Sequence, residues 1–255
     1  MLGERDHDLA QVRLRRLVFD AQHACTLDEY LTLPEQPCSQ LLEDAPHFDS
    51  QVLHLREESF TQPPSWFALD LTSVKRVPVY GNLQPEQLIS KRLWATSHDG
   101  EQVPVSVVMR ADLADQPLPT LLYGYGAYGE ALDPWFSIAR LELLERGAAF
   151  AVAHVRGGGE RGEPWYLNGK MAHKENSFHD FLAAREALVE QSVSDPRHVV
   201  AYGASAGGLL VGTCINRAPD AFCAALLDVP FLDVLRTMQN PELPLTTAEY
   251  SEWGN

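Results

Sequence analysis

The fold of this chain is decided by one stretch, His198-Val199-Val200-Ala201-Tyr202-Gly203-Ala204-Ser205-Ala206-Gly207-Gly208-Leu209-Leu210. An apolar, β-prone run leads into the pattern Gly-x-Ser-x-Gly, and a second apolar run follows it. Glycine on both sides of the serine leaves room for a sharp backbone turn. The stretch therefore predicts a strand, a tight turn and a helix, with the Ser205 side chain lifted out of the sheet edge.

A serine in this position is a candidate nucleophile. It stands at the N-terminus of the predicted helix, where the first backbone N–H groups have no partner inside the helix. The N–H of Ala206 is placed to bind the negative oxygen that develops when a carbonyl carbon is attacked. The strand before and the helix after favour this interpretation over an ordinary turn.

The composition is that of a soluble globular protein, since 45% of the 255 residues are hydrophobic and 22% are charged. No apolar run approaches the ~18 residues of a membrane span, and the N-terminal residues lack the apolar core of a signal peptide. We therefore expect a cytoplasmic protein that does not bind membranes. The four cysteines are scattered without the close spacing of metal ligands. Free thiols are expected, and neither a metal site nor a cofactor is predicted.

The formal net charge of −15 argues against a nucleic-acid partner, because binding to phosphates would need a basic patch. The same charge would favour cationic substrates, although a solvated acidic surface is the simpler explanation. The glycines 157–159 lack the Gly-x-Gly-x-x-Gly spacing and the following helix of a nucleotide-binding loop. They predict a conformationally demanding loop instead.

Two patterns divide the chain. Residues 1–80 are predicted to form short strands, and Asn82–Pro85 marks the passage to the next unit. After it, a hairpin with Asp99-Gly100 at its turn is followed by strands and helices in alternation. The expected elements are strands at 89–97, 103–109, 118–123, 148–155, 198–202 and 222–228, and helices at 136–145, 177–191 and 206–217. Asn176 or Ser177 is the expected N-cap of the second helix. This alternation predicts an α/β fold with a mostly parallel, doubly wound sheet.

Three glycine-rich blocks follow each other along the chain: Leu122-Tyr123-Gly124-Tyr125-Gly126-Ala127-Tyr128-Gly129, His154-Val155-Arg156-Gly157-Gly158-Gly159-Glu160 and Gly203-Ala204-Ser205-Ala206-Gly207-Gly208. In this order and spacing they resemble the prolyl oligopeptidase family of serine peptidases. Two later stretches, Val229–Val234 and Thr246–Asn255, are similar to its oligopeptidase B branch in particular. The resemblance covers residues 48–255 and extends only weakly to the earlier segment.

The resemblance implies an N-terminal β-propeller, which filters substrates by size, followed by an α/β-hydrolase domain. Residues 1–80 would then be the last blade or blades of the propeller, and residues 81–255 the first part of a truncated catalytic domain. The implied reaction is the hydrolysis of short peptides through an acyl-enzyme on Ser205.

The resemblance also implies roles for individual residues. Tyr125 matches the family tyrosine whose hydroxyl forms the oxyanion hole together with the Ala206 N–H. Glu249 matches an acid that holds the arginine or lysine before the cleaved bond, where a carboxylate would pair with a guanidinium. Tyr128 is a candidate wall of the same pocket, with ordinary packing as the alternative.

Asp133 resembles one of two acids that contact the next substrate residue. The second acid of that pair appears here as Trp135, and the family companion of Glu249 appears as Ser251. These departures weaken the implied preference for basic peptides. For both Asp133 and Glu249 a solvated surface role stays open.

The catalytic partners of the serine are missing from their expected place. Hydrolases with this turn carry the acid and the histidine after the serine, whereas all nine histidines precede Ser205. His154 is expected to be a core or strand-end histidine. The sequence therefore predicts that the chain lacks the triad Asp and His, resembles a fragment, and is inactive alone.

Two other functions stay open. A non-catalytic protein would keep the oxyanion hole and the acidic pocket, and it would bind arginine-containing peptides without cleaving them. Another hydrolase with the same serine turn would act as an esterase or an acyl-aminoacyl peptidase. The Tyr-Gly-Tyr-Gly block and the strand-rich leader argue against a stand-alone esterase.

Overall fold

The structure, a computed structural model, describes residues 1–32, 36–43, 47, 49–80 and 87–255, and only the backbone of 78–80. The predicted linker Asn82–Pro85 lies outside the described residues, next to the expected domain boundary after residue 80. Within the described ranges the strands form three sheets of three, six and four strands.

The described residues before 81 form strands and turns, as their sequence predicts. The strands are β1 Leu2–Asp6, β2 Gln11–Phe19, β3 Cys25–Tyr30, β4 Cys38–Leu42, β5 Val52–Ser59, β6 Ser65–Asp70 and β7 Arg76–Tyr80. They pair antiparallel in the orders β1-β2-β3 and β4-β5-β6-β7, each with its neighbour in sequence. A four-stranded antiparallel meander is typical of one blade of a β-propeller.

The third sheet is mixed and mostly parallel. Its strands are β8 Leu88–Thr96, β9 Gln102–Arg110, β10 Leu118–Gly124, β11 Ala149–Ala153, β12 Ser194–Ala204 and β13 Ala224–Asp228, in the order β13-β12-β10-β11-β9-β8. The first four in this order run parallel, and the predicted hairpin β8–β9 adds two antiparallel strands. Every residue of β11 is buried, which a parallel strand covered on both faces requires.

Helices cover both faces of this sheet. They are α1 Ile138–Glu145, α2 Glu163–Leu167, α3 Glu175–Glu190, α4 Ala206–Arg217, α5 Val234–Met238 and α6 Tyr250–Trp253. Helices α3 and α4 bury Phe181, Leu188 and Leu210 in one core, and Leu144 of α1 packs with Phe150 in a second core. The two cores lie on opposite faces of the sheet because alternate residues of a strand point in opposite directions. The predicted doubly wound arrangement is therefore confirmed.

The N-terminal strands contact the large sheet through its second core. Phe60, which follows β5, is buried there together with Val108 and Phe150, and its ring centroid lies 5.9 Å from that of Trp135. Among the described helices, none is long and apolar enough to cross a lipid bilayer.

Local predictions differ from the structure mainly at element ends. Helix α4 has the predicted bounds, whereas α3 begins at Glu175 with Lys174 as its N-cap, so the expected cap was wrong. Ser177 is fully buried in the first turn, and its hydroxyl donates to the carbonyl oxygen of Arg156 at 2.6 Å. The side chain that was expected to cap α3 therefore binds a neighbouring loop.

Candidate active site

Ser205 lies on the turn between β12 and α4. Its backbone angles, φ 52° and ψ −117°, are ones that residues with a side chain rarely adopt. Three hydrogen bonds of 2.9 Å hold the turn: the Ser205 N–H donates to the carbonyl of Asp228, and the Ser205 carbonyl accepts from the N–H groups of Gly208 and Phe231. Strain of this kind persists only where the surroundings enforce it. Here it leaves the Ser205 side chain exposed at the sheet edge.

Two glycines make the turn possible. A Cβ on Gly203 would overlap the carbonyl group of Gly207, and a Cβ on Gly207 would lie 2.5 Å from the carbonyl oxygen of Gly124. Both separations are far below the distance at which carbon atoms attract each other. The glycines therefore allow α4 to pack directly against the carboxyl ends of β10 and β12.

The predicted oxyanion donors lie beside the serine. Strands β10 and β12 are parallel neighbours, so their carboxyl ends meet at one edge of the sheet. Tyr125 follows β10, and its hydroxyl interacts with the side chain of Ser205. Burial raises the pKa of Tyr125, which keeps the hydroxyl protonated and able to donate at neutral pH. Ala206 is the first residue of α4, so its N–H has no partner within the helix.

Glu249 and Tyr128 form a second cluster together with Trp253. The Tyr128 hydroxyl donates to Glu249 Oε2 at 2.9 Å, and the indole N–H of Trp253 donates to the same oxygen at 3.2 Å. Burial, together with the hydrogen bond to Glu249, raises the pKa of Tyr128. Both donors are neutral, and in the described part of the chain no cationic side chain forms an ion pair with Glu249. The carboxylate is half-buried and keeps an uncompensated negative charge.

Glu252 anchors this cluster and was missed by the sequence analysis. Its side chain is buried, with Oε1 accepting from the Tyr128 N–H at 3.0 Å and Oε2 accepting from the Tyr166 hydroxyl at 2.7 Å. Glu252 follows Glu249 by three residues, a spacing that places side chains on one face of a helical turn. That spacing was the available signal.

Lys174 is the other anchor that the sequence analysis missed. Its Nζ donates to the carbonyl oxygen of Gly126 and, at 3.1 Å, to that of Gly169. The same atom lies 5.2 Å from the ring centroid of Trp253. Burial lowers the pKa of Lys174 to about 8. The lysine thus connects the segment after Tyr125 to helix α6, and no local sequence pattern marks it.

Asp133 has a partner from the far end of the chain. The guanidinium of Arg5 in β1 binds both carboxylate oxygens, at 3.0 Å to Oδ1 and 2.8 Å to Oδ2. The two side chains are 22% and 29% exposed. Trp135 packs edge-on against Phe150, with their ring centroids 6.2 Å apart, and Ser251 is exposed.

The loop after β11 is fixed by a buried ion pair. Arg156 donates to Asp180 through its backbone N–H at 3.0 Å, Nε at 2.9 Å and Nη2 at 2.6 Å. It also donates to Asp99, and this holds the pKa of Asp99 down to about 2. Gly157 has φ +95°, and its carbonyl oxygen accepts from the N–H of Gly129 at 3.0 Å. The conformationally demanding loop predicted at residues 157–159 therefore supports the Tyr125–Gly129 segment.

No histidine takes the place of a general base. All nine histidines are described, and none is hydrogen-bonded to Ser205. His154 is buried between the Ser106 hydroxyl, 2.7 Å from Nε2, and Glu160, 3.2 Å from Nδ1. Burial lowers the pKa of His154, so the ring is neutral at pH 7. The prediction of a core histidine is confirmed.

Comparison with known proteins identifies the family of this region. Residues 134–255 match the model of the Prolyl oligopeptidase family. The matched residues, which are just under half of the chain, are similar to that family. The family consists of serine peptidases, which is the predicted enzyme class.

The relatives that this chain matches are longer proteins. Protease 2 of Moraxella lacunata is 42% identical over 214 residues, which are 82% of this chain and 31% of that protein. Dipeptidyl aminopeptidase BI of Pseudoxanthomonas mexicana is 39% identical over 234 residues, which are 89% of this chain and 32% of that protein. The chain spans about a third of the length of the curated relatives it matches.

A solved structure agrees with the fold. Oligopeptidase B from Trypanosoma brucei, in a closed form with covalently bound antipain, has a TM-score of 0.86 and 36% sequence identity, covering 96% of this chain and 36% of that one. The predicted fold class, a partial α/β-hydrolase preceded by the remnant of a β-propeller, is confirmed. The exact domain limits, 1–80 and 81–255, stay a prediction.

Proposed function

We propose that this chain acts in a serine-type oligopeptidase whose nucleophile is Ser205. The observation that carries the proposal is the exposed Ser205 side chain on a strained turn, in contact with the Tyr125 hydroxyl and at the N-terminus of α4. Ser205 Oγ would form an ester with the substrate carbonyl carbon while the peptide C–N bond breaks. The serine proton passes to the leaving amine, and water then hydrolyses the ester.

Two donors would stabilise the oxyanion of this reaction. The proposed donors are the Tyr125 hydroxyl, which interacts with the Ser205 side chain, and the N–H of Ala206, the first residue of α4. Loss of one such donor costs roughly 2.7–4 kcal/mol of transition-state stabilisation in related chemistry. Preorganisation by Lys174, which binds the carbonyl oxygen one residue after Tyr125, supports this assignment.

We propose short peptides as substrates, with cleavage after arginine or lysine. Glu249 accepts two neutral hydrogen bonds and has no cationic partner among the described residues, so a guanidinium would complete its environment. Tyr128 and Trp253 would form the wall of this pocket, with their ring centroids 5.8 Å apart. Asp133, the candidate carboxylate for the preceding substrate residue, is already bound by Arg5.

The proton transfer needs a base that the chain's own histidines do not supply. We therefore propose that the 255-residue polypeptide has negligible peptidase turnover by itself. A peptide-binding role without cleavage is the second candidate, and the same uncompensated carboxylate favours it. A cytoplasmic location also stays a proposal that rests on the sequence.

A fluorophosphonate probe tests the nucleophile. The probe is applied to the native source, and labelled species are identified by intact mass and by the labelled peptide containing Ser205. A labelled product heavier than 28.4 kDa is expected, with the label lost in Ser205→Ala. Exclusive recovery of an unlabelled 28.4 kDa species would contradict catalysis and favour the binding role. Turnover of an arginyl-coumarin substrate by the pure chain would contradict the proposed inactivity.

Binding to the pure chain tests the pocket. N-acetyl-arginine amide carries no titratable amine, and its affinity is measured by calorimetry for wild type and Glu249→Gln. The amide keeps the shape of the side chain but removes the negative charge, so binding is expected to weaken about tenfold, as for a hydrogen bond to a charged group. Asp112→Asn, at an exposed carboxylate paired with Arg110, is the matched control. Equal affinities for all three proteins would refute the role of Glu249.

A further inference from the structure

The carboxylate of Asp133 already binds a guanidinium, the same group that an arginine of the proposed substrate would bring to it. Both oxygens of its carboxylate accept from one guanidinium, that of Arg5, at 2.8 and 3.0 Å. This two-point, planar geometry is how arginine binds carboxylates in general. A substrate arginine would make the same pair of hydrogen bonds, so it must displace Arg5 to reach Asp133.

The Arg5 contact is partly shielded from water. The two side chains are only 22% and 29% exposed, and Glu160 adds a second negative charge that favours the Arg5 cation. Arg5 belongs to β1 of the three-stranded sheet, 128 residues away in sequence, so its position does not depend on the local backbone of Asp133. The contrast with Glu249 is direct, because Glu249 has neutral donors alone in the described part of the chain.

We propose that Arg5 masks Asp133, so that the site recognises one basic residue at Glu249, and that removal of Arg5 opens a second carboxylate subsite for a neighbouring basic residue. This inference rests on the proposed function. Arg5 is a specificity-determining residue that acts by occupying a subsite. The expected substrate of the wild type is a peptide with a single arginine or lysine before the scissile bond.

The test compares two blocked peptides, N-acetyl-Ala-Arg-amide and N-acetyl-Arg-Arg-amide, by calorimetry on the intact 255-residue chain. Wild type should bind the two peptides with equal affinity, a ratio of one. Arg5→Gln should bind the dibasic peptide about fivefold more tightly than the monobasic one, which is the upper range for a solvent-accessible ion pair. The double variant Arg5→Gln, Asp133→Asn should return the ratio to one, because the freed carboxylate has lost its charge.

Arg13→Gln is the matched control. Arg13 pairs with Asp6 in the same sheet, and its removal changes the net charge by the same single unit. Its affinity ratio should equal that of wild type, which separates the masking effect from general attraction of a dication. Raising the salt concentration should shrink the ratio of Arg5→Gln, since exposed charges are screened.

Several results would overturn the masking. If Arg5→Gln gives the same affinity ratio as wild type with an unchanged Tm, Arg5 only connects β1 to Asp133 and does not determine specificity. A wild-type protein that already prefers the dibasic peptide would also contradict the masking of Asp133 by Arg5. If Arg5→Gln does not fold, Arg5→Lys is used in its place. A lysine ammonium binds the Asp133 carboxylate through a single point, so it masks that carboxylate less well than arginine does. The ratio of dibasic to monobasic affinity should then rise to about twofold. Absence of Glu249-dependent binding of either peptide to wild type would instead refute the proposed function.

Discussion

Asp180→Asn is the sharpest test of how the loop behind the site is held. Asp180 is fully buried in α3, and it accepts three hydrogen bonds from Arg156 and one from the Ser97 hydroxyl at 2.6 Å. The asparagine side chain has nearly the same shape. It presents one acceptor oxygen instead of two and carries no charge. The change therefore removes the counter-charge of a buried guanidinium while leaving the packing intact.

The magnitude follows from the burial of the pair. Removing one partner of a buried ion pair costs about 3–5 kcal/mol, because the other charge stays buried without compensation. Arg156 keeps Asp99 as a second partner, so the lower end, about 3 kcal/mol, is expected. For a chain of this size each kcal/mol corresponds to about 2–4 °C in Tm, which gives a decrease of roughly 6–12 °C.

The assay is thermal unfolding followed by circular dichroism, with urea titration as a second measure of the free energy of unfolding. Asp112→Asn is the control, since Asp112 forms a two-point ion pair with Arg110 at an exposed position. No measurable change in Tm is expected for the control. A Tm of Asp180→Asn within 2 °C of wild type, a shift of at most about 1 kcal/mol, would refute the assignment of this ion pair as the anchor of the loop.

Three further predictions concern stability and thiol chemistry. Burial lowers the pKa of Lys174 from 10.5 to about 8, so the unfolded chain binds the ammonium proton more tightly than the folded protein does. The free energy of unfolding of wild type, relative to that of Lys174→Met, should therefore rise between pH 8 and 10.5 by up to about 3 kcal/mol. Urea titrations at several pH values measure this difference. A pH-independent difference would contradict this. Gly203→Ala should lower the free energy of unfolding by about 3 kcal/mol, because its Cβ overlaps a carbonyl of α4; Gly100→Ala has free space, costs about 1 kcal/mol for its positive φ, and serves as control. Equal losses for the two variants would show that the overlap is relieved. In the folded protein the exposed Cys25 and Cys223 should react with a thiol reagent, whereas the two buried cysteines, whose pKa burial raises to about 12, should react after unfolding. Four reactive thiols in the native state would be inconsistent with the core.

Local patterns predicted the backbone around Ser205 well. The apolar run before Gly203 and the glycines around Ser205 specify a strand, a turn and a helix within 20 residues, and α4 has the predicted bounds. The hairpin β8–β9 was predicted from Asp99-Gly100 and alternating apolar residues for the same reason. These features depend on neighbours in sequence, so periodicity and turn chemistry are sufficient to find them.

Element ends and short elements were predicted less well. Helix α3 begins at Glu175, two residues before the predicted start. The Ser177 hydroxyl donates to the carbonyl oxygen of Arg156 instead of capping the helix. Helix α2, with five residues, has too short a pattern to be recognised from periodicity, and it was not predicted. In both cases contacts distant in sequence decide the local conformation.

The sequence by itself determined the strand, turn and helix around Ser205 and the alternation of strands and helices, and it predicted Ser205, Tyr125 and Ala206 as candidate site residues. Tertiary structure alone decided which carboxylates are free to bind a ligand. Glu249 and Asp133 are equivalent as sequence candidates, yet one accepts neutral donors and the other is bound by Arg5. The physical reason is that the charge state of a site is set by every group within a few ångströms, and the group that matters for Asp133 lies 128 residues away along the chain.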